Sequence, residues 1–135
     1  MRVLLDTSYL YDFMEAPGRF HESERRFLAA RDARIHVSAV SIWEMRLKHR
    51  ARRASGARKS PFAPQDVLAL LEDQDVTFLP MTILDAAASL EPPLDHGDPF
   101  DELLLVQAQR QGLMLLTTDR RLADHPLAVA AEEPG

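Results

Sequence analysis

No cysteine occurs among the 135 residues. That excludes disulfides, thiolate metal sites and cysteine nucleophiles together, and it suits a reducing compartment. No apolar run approaches the ~20 residues needed to span a bilayer. The N-terminus opens on a strand pattern, not on a charged segment followed by a leader-length apolar run, so the expectation is a soluble, cytoplasmic protein. Glycine is scarce: five isolated residues form no phosphate-cradling loop. Ser8, Ser38 and Ser41 lack the elbow glycines of a hydrolase nucleophile. His21, His36, His49, His96 and His125 are scattered, with no pair at metal-ligand spacing on one helix, which argues against zinc. Of these, His96 lies nearest the site proposed below, where it serves its loop or contacts substrate.

Net positive charge is also missing: the chain carries −5. The charge is unevenly spread, however. Between Met45 and Gln65 there is no acid, while Arg46, Lys48, Arg50, Arg52, Arg53, Arg58 and Lys59 supply 7 of the 16 basic residues. An acidic remainder beside a cationic flank can attract a phosphate backbone that the total charge would repel. The same run also fits a solvated helix face.

What is present alternates strand and helix signals. Arg2-Val3-Leu4-Leu5 reads as a buried strand ending at Asp6-Thr7, and ligands of open α/β sheets gather outside such strand ends. Ser8–Glu15 has helical spacing and stops at Pro17-Gly18; residues 21–32 form a second helix with Phe27 and Leu28 inward. Ile35-His36-Val37 is the second strand. Ser41 followed by Glu44 has the form of a capping box opening a third helix. Residues 54–64, with Ser, Gly and Pro, are expected to be the loosest stretch. A fourth helix spans 65–74 with Val67, Leu68, Leu70 and Leu71 inward, followed by a strand at 76–79 and an Ala-rich helix at 82–90. After the 91–97 loop, Asp98-Pro99 opens a helix that Gly112 closes. Leu113–Leu116 is a fourth strand, Thr117-Thr118-Asp119 turns into a short helix, and 127–130 is a weak edge strand. Such alternation predicts a three-layer α/β/α sandwich on a mainly parallel sheet of four to five strands. A single domain is expected over 1–131, with a frayed tail at 132–135.

Asp6, Glu44, Asp101 and Asp119 all fall at strand ends or in the first turns of helices, and in a parallel α/β sheet these lie on one side. Each is explicable alone as a cap, since helix dipoles favour acids there by ~0.3–1 kcal/mol. Capping does not explain their common edge. Clustered carboxylates raise one another's pKa or bind cations, and all-oxygen ligands favour Mg²⁺ or Mn²⁺. One or two such ions can activate a water and stabilise the leaving oxygen of a phosphodiester.

The segments Leu4-Leu5-Asp6-Thr7, Ser41-Ile42-Trp43-Glu44, Asp98-Pro99-Phe100-Asp101-Glu102-Leu103-Leu104 and Leu115-Leu116-Thr117-Thr118-Asp119, in this order, resemble a PIN domain of the VapC toxin type. The resemblance implies a Mg²⁺- or Mn²⁺-dependent endoribonuclease paired with a small antitoxin and usually dimeric. It assigns the acids to Asp6, Glu44, Asp101 and Asp119 and a supporting hydroxyl to Thr117. Asp98 matches the acid opening the same motif and is weighted toward capping. Three features depart from the pattern: Glu102 stands where relatives often have Arg, the basic tract is dense, and the last strand lacks the usual aromatic. Asp6 and Asp101 are expected as direct ligands, with Glu44 and Asp119 direct or water-mediated. Arg46, Lys48, Arg50, Arg52 and Arg53 are the phosphate-contact candidates, and Trp43 is expected in the core with its N–H bonded at the helix start. The rival readings are a non-catalytic RNA- or protein-binding module, and a DNA nuclease or phosphohydrolase using the same carboxylates.

Overall fold

The computed structural model describes residues 1–130; the expected tail at 132–135 lies outside them. The elements run β1 (Arg2–Leu5), α1 (Thr7–Glu15), α2 (Glu22–Ala30), β2 (Arg34–Ser38), α3 (Ala39–Arg50), α4 (Pro64–Glu72), β3 (Val76–Leu79), α5 (Ile83–Ala87), α6 (Pro99–Gln111), β4 (Met114–Leu116), α7 (Arg120–Ala123) and β5 (Ala128–Val129). All four strand pairings are parallel, in the order β3-β2-β1-β4-β5. β1 is central because its residues are apolar on both faces. Val3 and Leu5 join a core with Tyr9, Phe13, Val37 and Leu71, while Leu4 faces the opposite core with Leu104, Leu105 and Leu115. Two cores on either side of one sheet make the three-layer sandwich. Chain direction across the sheet reverses between β1 and β4, the place where ligands of such sheets bind.

Local chemistry sets the element ends. Gly112, in the left-handed region at φ 69°, closes α6, and Pro99 occupies its first turn. Three expectations need correction. The helix expected over 82–90 covers only Ile83–Ala87. Gln109 takes the Ser89 carbonyl (2.9 Å) and the Glu91 N–H (2.9 Å), and Pro92 biases its predecessor away from helix, so the chain runs extended along α6. The stretch expected to be loosest begins as a tight excursion: Arg52 bridges Arg58, Arg53 N–H reaches Ala57 O at 2.7 Å, and Gly56 turns at φ 87°. Finally, α3 is capped by Ser38, three residues before the expected Ser41. The earlier start buries Val40, Ser41, Glu44 and Met45 and turns Trp43 outward, 43% exposed, with its ring edge-on to Phe100 at 5.4 Å.

No helix among the described residues is long and apolar enough to cross a membrane.

Candidate active site at the carboxyl edge of the sheet

Strand register builds this site. Leu5 pairs with Leu116, and Asp6 N–H donates to Leu116 O at 2.9 Å, which makes residues 6 and 117 neighbours at the sheet edge. Thr117, fully buried, donates its hydroxyl to Asp6 Oδ2 at 2.7 Å and accepts from Asp119 N–H at 2.9 Å. Asp6 also accepts from Thr7 N–H at 2.8 Å and from the Ser8 hydroxyl at 3.3 Å. It is the cap of α1 as well as a member of the cluster, so the two explanations coincide in one residue.

Glu44 is different. With Ser38 as the cap, Glu44 falls in the second turn of α3, beyond the free N–H groups, and a capping role disappears. The side chain is nonetheless buried. Thr7 Oγ1 donates to its Oε1 at 2.8 Å and lies 3.0 Å from the Ser41 hydroxyl, while Lys48 Nζ sits 2.5 Å from its Oε2.

Across the edge, Asp98 caps α6 by accepting from the N–H groups of Phe100 and Asp101, at 2.9 and 3.2 Å. Asp101 follows one turn in and is buried. Its carboxyl is pushed up to about 7, by burial first and then by the charges of Asp6, Asp98, Glu44 and Asp119. Those fields come from three other elements and the α6 cap, and they meet at one side chain. Asp6 is raised too, by burial first and in smaller part by Glu44, against the lowering hydrogen bonds of Thr117 and Thr7. Asp119 caps α7 and ends below the usual range. Burial would raise it, but the Arg121 side chain (Nη2–Oδ2 3.3 Å) and backbone N–H outweigh that.

The cluster is wider than a bare-ion cage. Among the described residues, the trio whose ligand atoms all lie within 4.8 Å of one another is Asp12, His21 and Glu24, not three of the four acids. An ion held by these acids would have to keep several of its own waters, and an all-oxygen donor set suits such a hard ion. Of the five basic candidates, Lys48 reaches the acids. Arg46 lines an apolar cleft with Trp43, and Arg52 Nη1 is used by the Gly56 carbonyl at 3.2 Å.

The PIN domain family matches residues 3–126. The chain belongs to the PIN domain family. Among solved structures, VapBC2 from Rickettsia felis, bound to a DNA fragment from its promoter, is similar with a TM-score of 0.63 and 16% identity, covering 96% of this chain and 97% of that one. The PIN domain endonuclease Utp24 is similar with a TM-score of 0.48 and 14% identity, covering 90% of this chain and 73% of that one. No curated protein sequence matches the chain.

Several residues of this PIN domain, at the acids or away from them, have partners that the sequence does not single out. Thr7 and Ser41 look like caps; instead Thr7 donates to Glu44, and the Ser41 hydroxyl lies against that same Thr7 oxygen. Gln107, fully buried in the apolar stripe of α6, binds the Ser38 hydroxyl, Pro80 O (3.1 Å) and Asp85 (3.1 Å), and Asp85 is in turn paired with Arg110. Its one visible cue is an amide within an apolar run. The Asp12–His21–Glu24 group went unseen because its members come from two helices and the turn between them. Burial first, then Asp12, raises Glu24 to about 7, and His21 N–H donates to it at 3.3 Å. His96, by contrast, stands where its position in the loop suggests. Its Nδ1 accepts from Asp98 N–H at 3.4 Å, and its Nε2 points to Asp101 Oδ2 at 3.8 Å.

Proposed function

We propose that this PIN domain is a metal-dependent endoribonuclease, the toxin of a toxin–antitoxin pair. The observation that carries the reading is the convergence on Asp101 of the charges of Asp6, Asp98, Glu44 and Asp119, which leaves a buried carboxyl at about 7. Carboxylates so placed are relieved by a divalent cation. Asp6 and Asp101 would hold Mg²⁺ or Mn²⁺ directly, with Glu44 and Asp119 direct or through water. Bound there, the ion would supply an activated water and a stabilised leaving oxygen. The chain's own contribution is positional: Thr117 fixes Asp6, Thr7 fixes Glu44, and Lys48 offers a cation to the phosphate beside them.

For partners we infer a homodimer and an antitoxin. Exposed large apolar side chains concentrate at Trp43 and at Phe78, Met81, Ile83 and Leu84, a density that marks protein interfaces. The antitoxin takes the apolar cleft of about 580 Å³ lined by Ile42, Trp43, Leu68 and Phe78 and sends a basic side chain to the acids; the second copy pairs on α5. The structural neighbour VapBC2 supports an antitoxin reading.

The decisive experiment compares RNA ends after brief induction of the wild type and of Asp6→Asn. New ends should appear with the wild type alone; undiminished cleavage by a pure Asp6→Asn preparation ends the proposal. The pairs Lys48–Glu44 and Arg121–Asp119 favour the second reading, a non-catalytic RNA- or protein-binding module whose acids are neutralised by their own chain. That module would show little Mn²⁺-dependent gain in melting temperature.

A further inference from the structure

Between α3 and α4 the chain turns back on itself in a short basic hairpin that the reaction proposed above does not use. Arg52 bridges Arg58 in the antiparallel sense, Arg53 N–H donates to Ala57 O at 2.7 Å, Lys59 N–H donates to Ala51 O at 3.0 Å, and Gly56 N–H closes the turn on Arg53 O at 2.9 Å. The hairpin is fastened to the last turn of α3. Ser60, fully buried, donates its N–H to Lys48 O at 3.1 Å, its carbonyl meets His49 Nδ1 at 3.0 Å, and Arg58 Nη1 donates to His49 O at 2.7 Å. Its root is therefore Lys48, whose ammonium touches Glu44 in the acid cluster. Side chains alternate across paired strands, so Arg53 and Lys59 lie on the face opposite Arg52 and Arg58. The two faces are used differently. Arg52 and Arg58 bond the carbonyls of Gly56 and His49 and so hold the shape. Arg53 and Lys59, with Arg50 at the end of α3, are exposed and have no ion-pair partner among the described residues. No acid occurs between Met45 and Gln65 to neutralise them. Like charges directly opposite on paired strands destabilise the pairing, so the fold gathers positive charge here at a cost and leaves it unrelieved.

We propose that this hairpin is a phosphate-backbone exosite: Arg50, Arg53 and Lys59 hold the single-stranded RNA that extends beyond the bond to be cut, without reading its bases. The strand is RNA on the ribonuclease reading above; the hold comes from the hairpin's own charge and shape. Besides its cations the turn carries only Ala51, Ala54, Ser55, Gly56 and Ala57, so it lacks the aromatic or large aliphatic anchor on which a protein interface depends. Guanidinium forks match phosphate oxygens, and contacts of this kind position a strand and carry no sequence information. An arm already fixed by backbone bonds to α3 loses little freedom when it binds. Because the hairpin is rooted on the residue that touches Glu44, a strand lying along it leads directly into the carboxylates.

Fluorescence anisotropy of a labelled, unstructured RNA in EDTA tests the hold without cleavage. Combining Arg50→Ala, Arg53→Ala and Lys59→Ala should lower the slope of log K against log salt by about 2, at ~0.7 per phosphate contact on a single strand, and weaken binding at low salt by at least about tenfold, equally for RNAs of different sequence. The control removes the same charge elsewhere, by Arg19→Ala, Arg25→Ala and Arg34→Ala at exposed positions, and should leave the slope as in the wild type. An unchanged slope in the hairpin variant, or an equal fall in the control, overturns the proposal. So does a hairpin variant that binds RNA normally but changes its mass in gel filtration, which would assign the hairpin to a second copy of the chain. In Mg²⁺, cleavage of a long RNA by the hairpin variant should lose in KM and not in kcat; a loss confined to kcat also overturns it. Cutting that depends on Asp6 with an unchanged slope removes the exosite and leaves the nuclease. Hairpin-dependent binding without any cutting by the wild type removes the nuclease and keeps the exosite.

Discussion

Replacing Asp101 by Asn should stabilise the metal-free protein at pH 8. The native carboxyl lies at about 7 against an ordinary value of 3.8, through burial and then the surrounding acids. Below about pH 4 the carboxyl is protonated in both folded and unfolded chains and nothing is lost. As pH rises from 3.8 toward 7, the unfolded chain releases its proton while the native one retains it, so native stability falls; above 7 the loss is complete. Roughly three pKa units at 1.36 kcal/mol each set a ceiling of about 4 kcal/mol. Solvent at the mouth of the site leaves about 1–3 kcal/mol of that. Asn removes the charge and keeps the backbone N–H that Asp98 caps at 3.2 Å. Urea unfolding in EDTA should therefore show the variant gaining on the wild type between pH 5 and pH 8. Saturating Mn²⁺ should cancel most or all of that advantage, since at a hundred times Kd the wild type gains about 2.7 kcal/mol that the variant lacks. An equal difference at both pH values, or a variant weaker than the wild type throughout in EDTA, refutes the electrostatic argument.

Thr117→Val removes a buried hydroxyl bonded to both Asp6 and Asp119 N–H; it should cost about 1–3 kcal/mol in urea unfolding at pH 7 and weaken Mn²⁺ binding. Lys48→Met takes away the cation 2.5 Å from Glu44, so Mn²⁺ should bind several-fold more tightly in calorimetry while RNA binds less tightly; weaker Mn²⁺ binding would exclude Glu44 from the metal site. Leu104→Ala, at a fully buried position of the α6-side core, should cost about 3 kcal/mol without altering the pH dependence of Mn²⁺ affinity.

Much of the architecture was legible because its signals are local. Val3-Leu4-Leu5 is apolar on both faces, and the Asp98-Pro99 and Gly112 punctuation marks both ends of α6. Asp6, Asp101 and Asp119 could be placed on one edge because parallel strands and the helices that follow them put their ends together. What failed depended on tertiary competition. Ser38 and Ser41 are equally good caps by residue type, and the end of β2 decided between them, which also sent Trp43 outward. Helix propensity favoured residues 88–90, but Gln109 claimed the backbone of Ser89 and Glu91. The Lys48–Glu44 pair has the familiar four-residue spacing, yet which face of α3 it occupies could not be known without the cap.

The order of the strands also bears on synthesis. β1, the middle of the sheet, waits for its β4 neighbour until residue 116 has been made, and the fourth acid arrives only with Asp119. A growing polypeptide thus carries an unfinished sheet and an incomplete set of carboxylates from β1 until Asp119 has been added. Any chemistry that needs all four carboxylates together would wait for that closure.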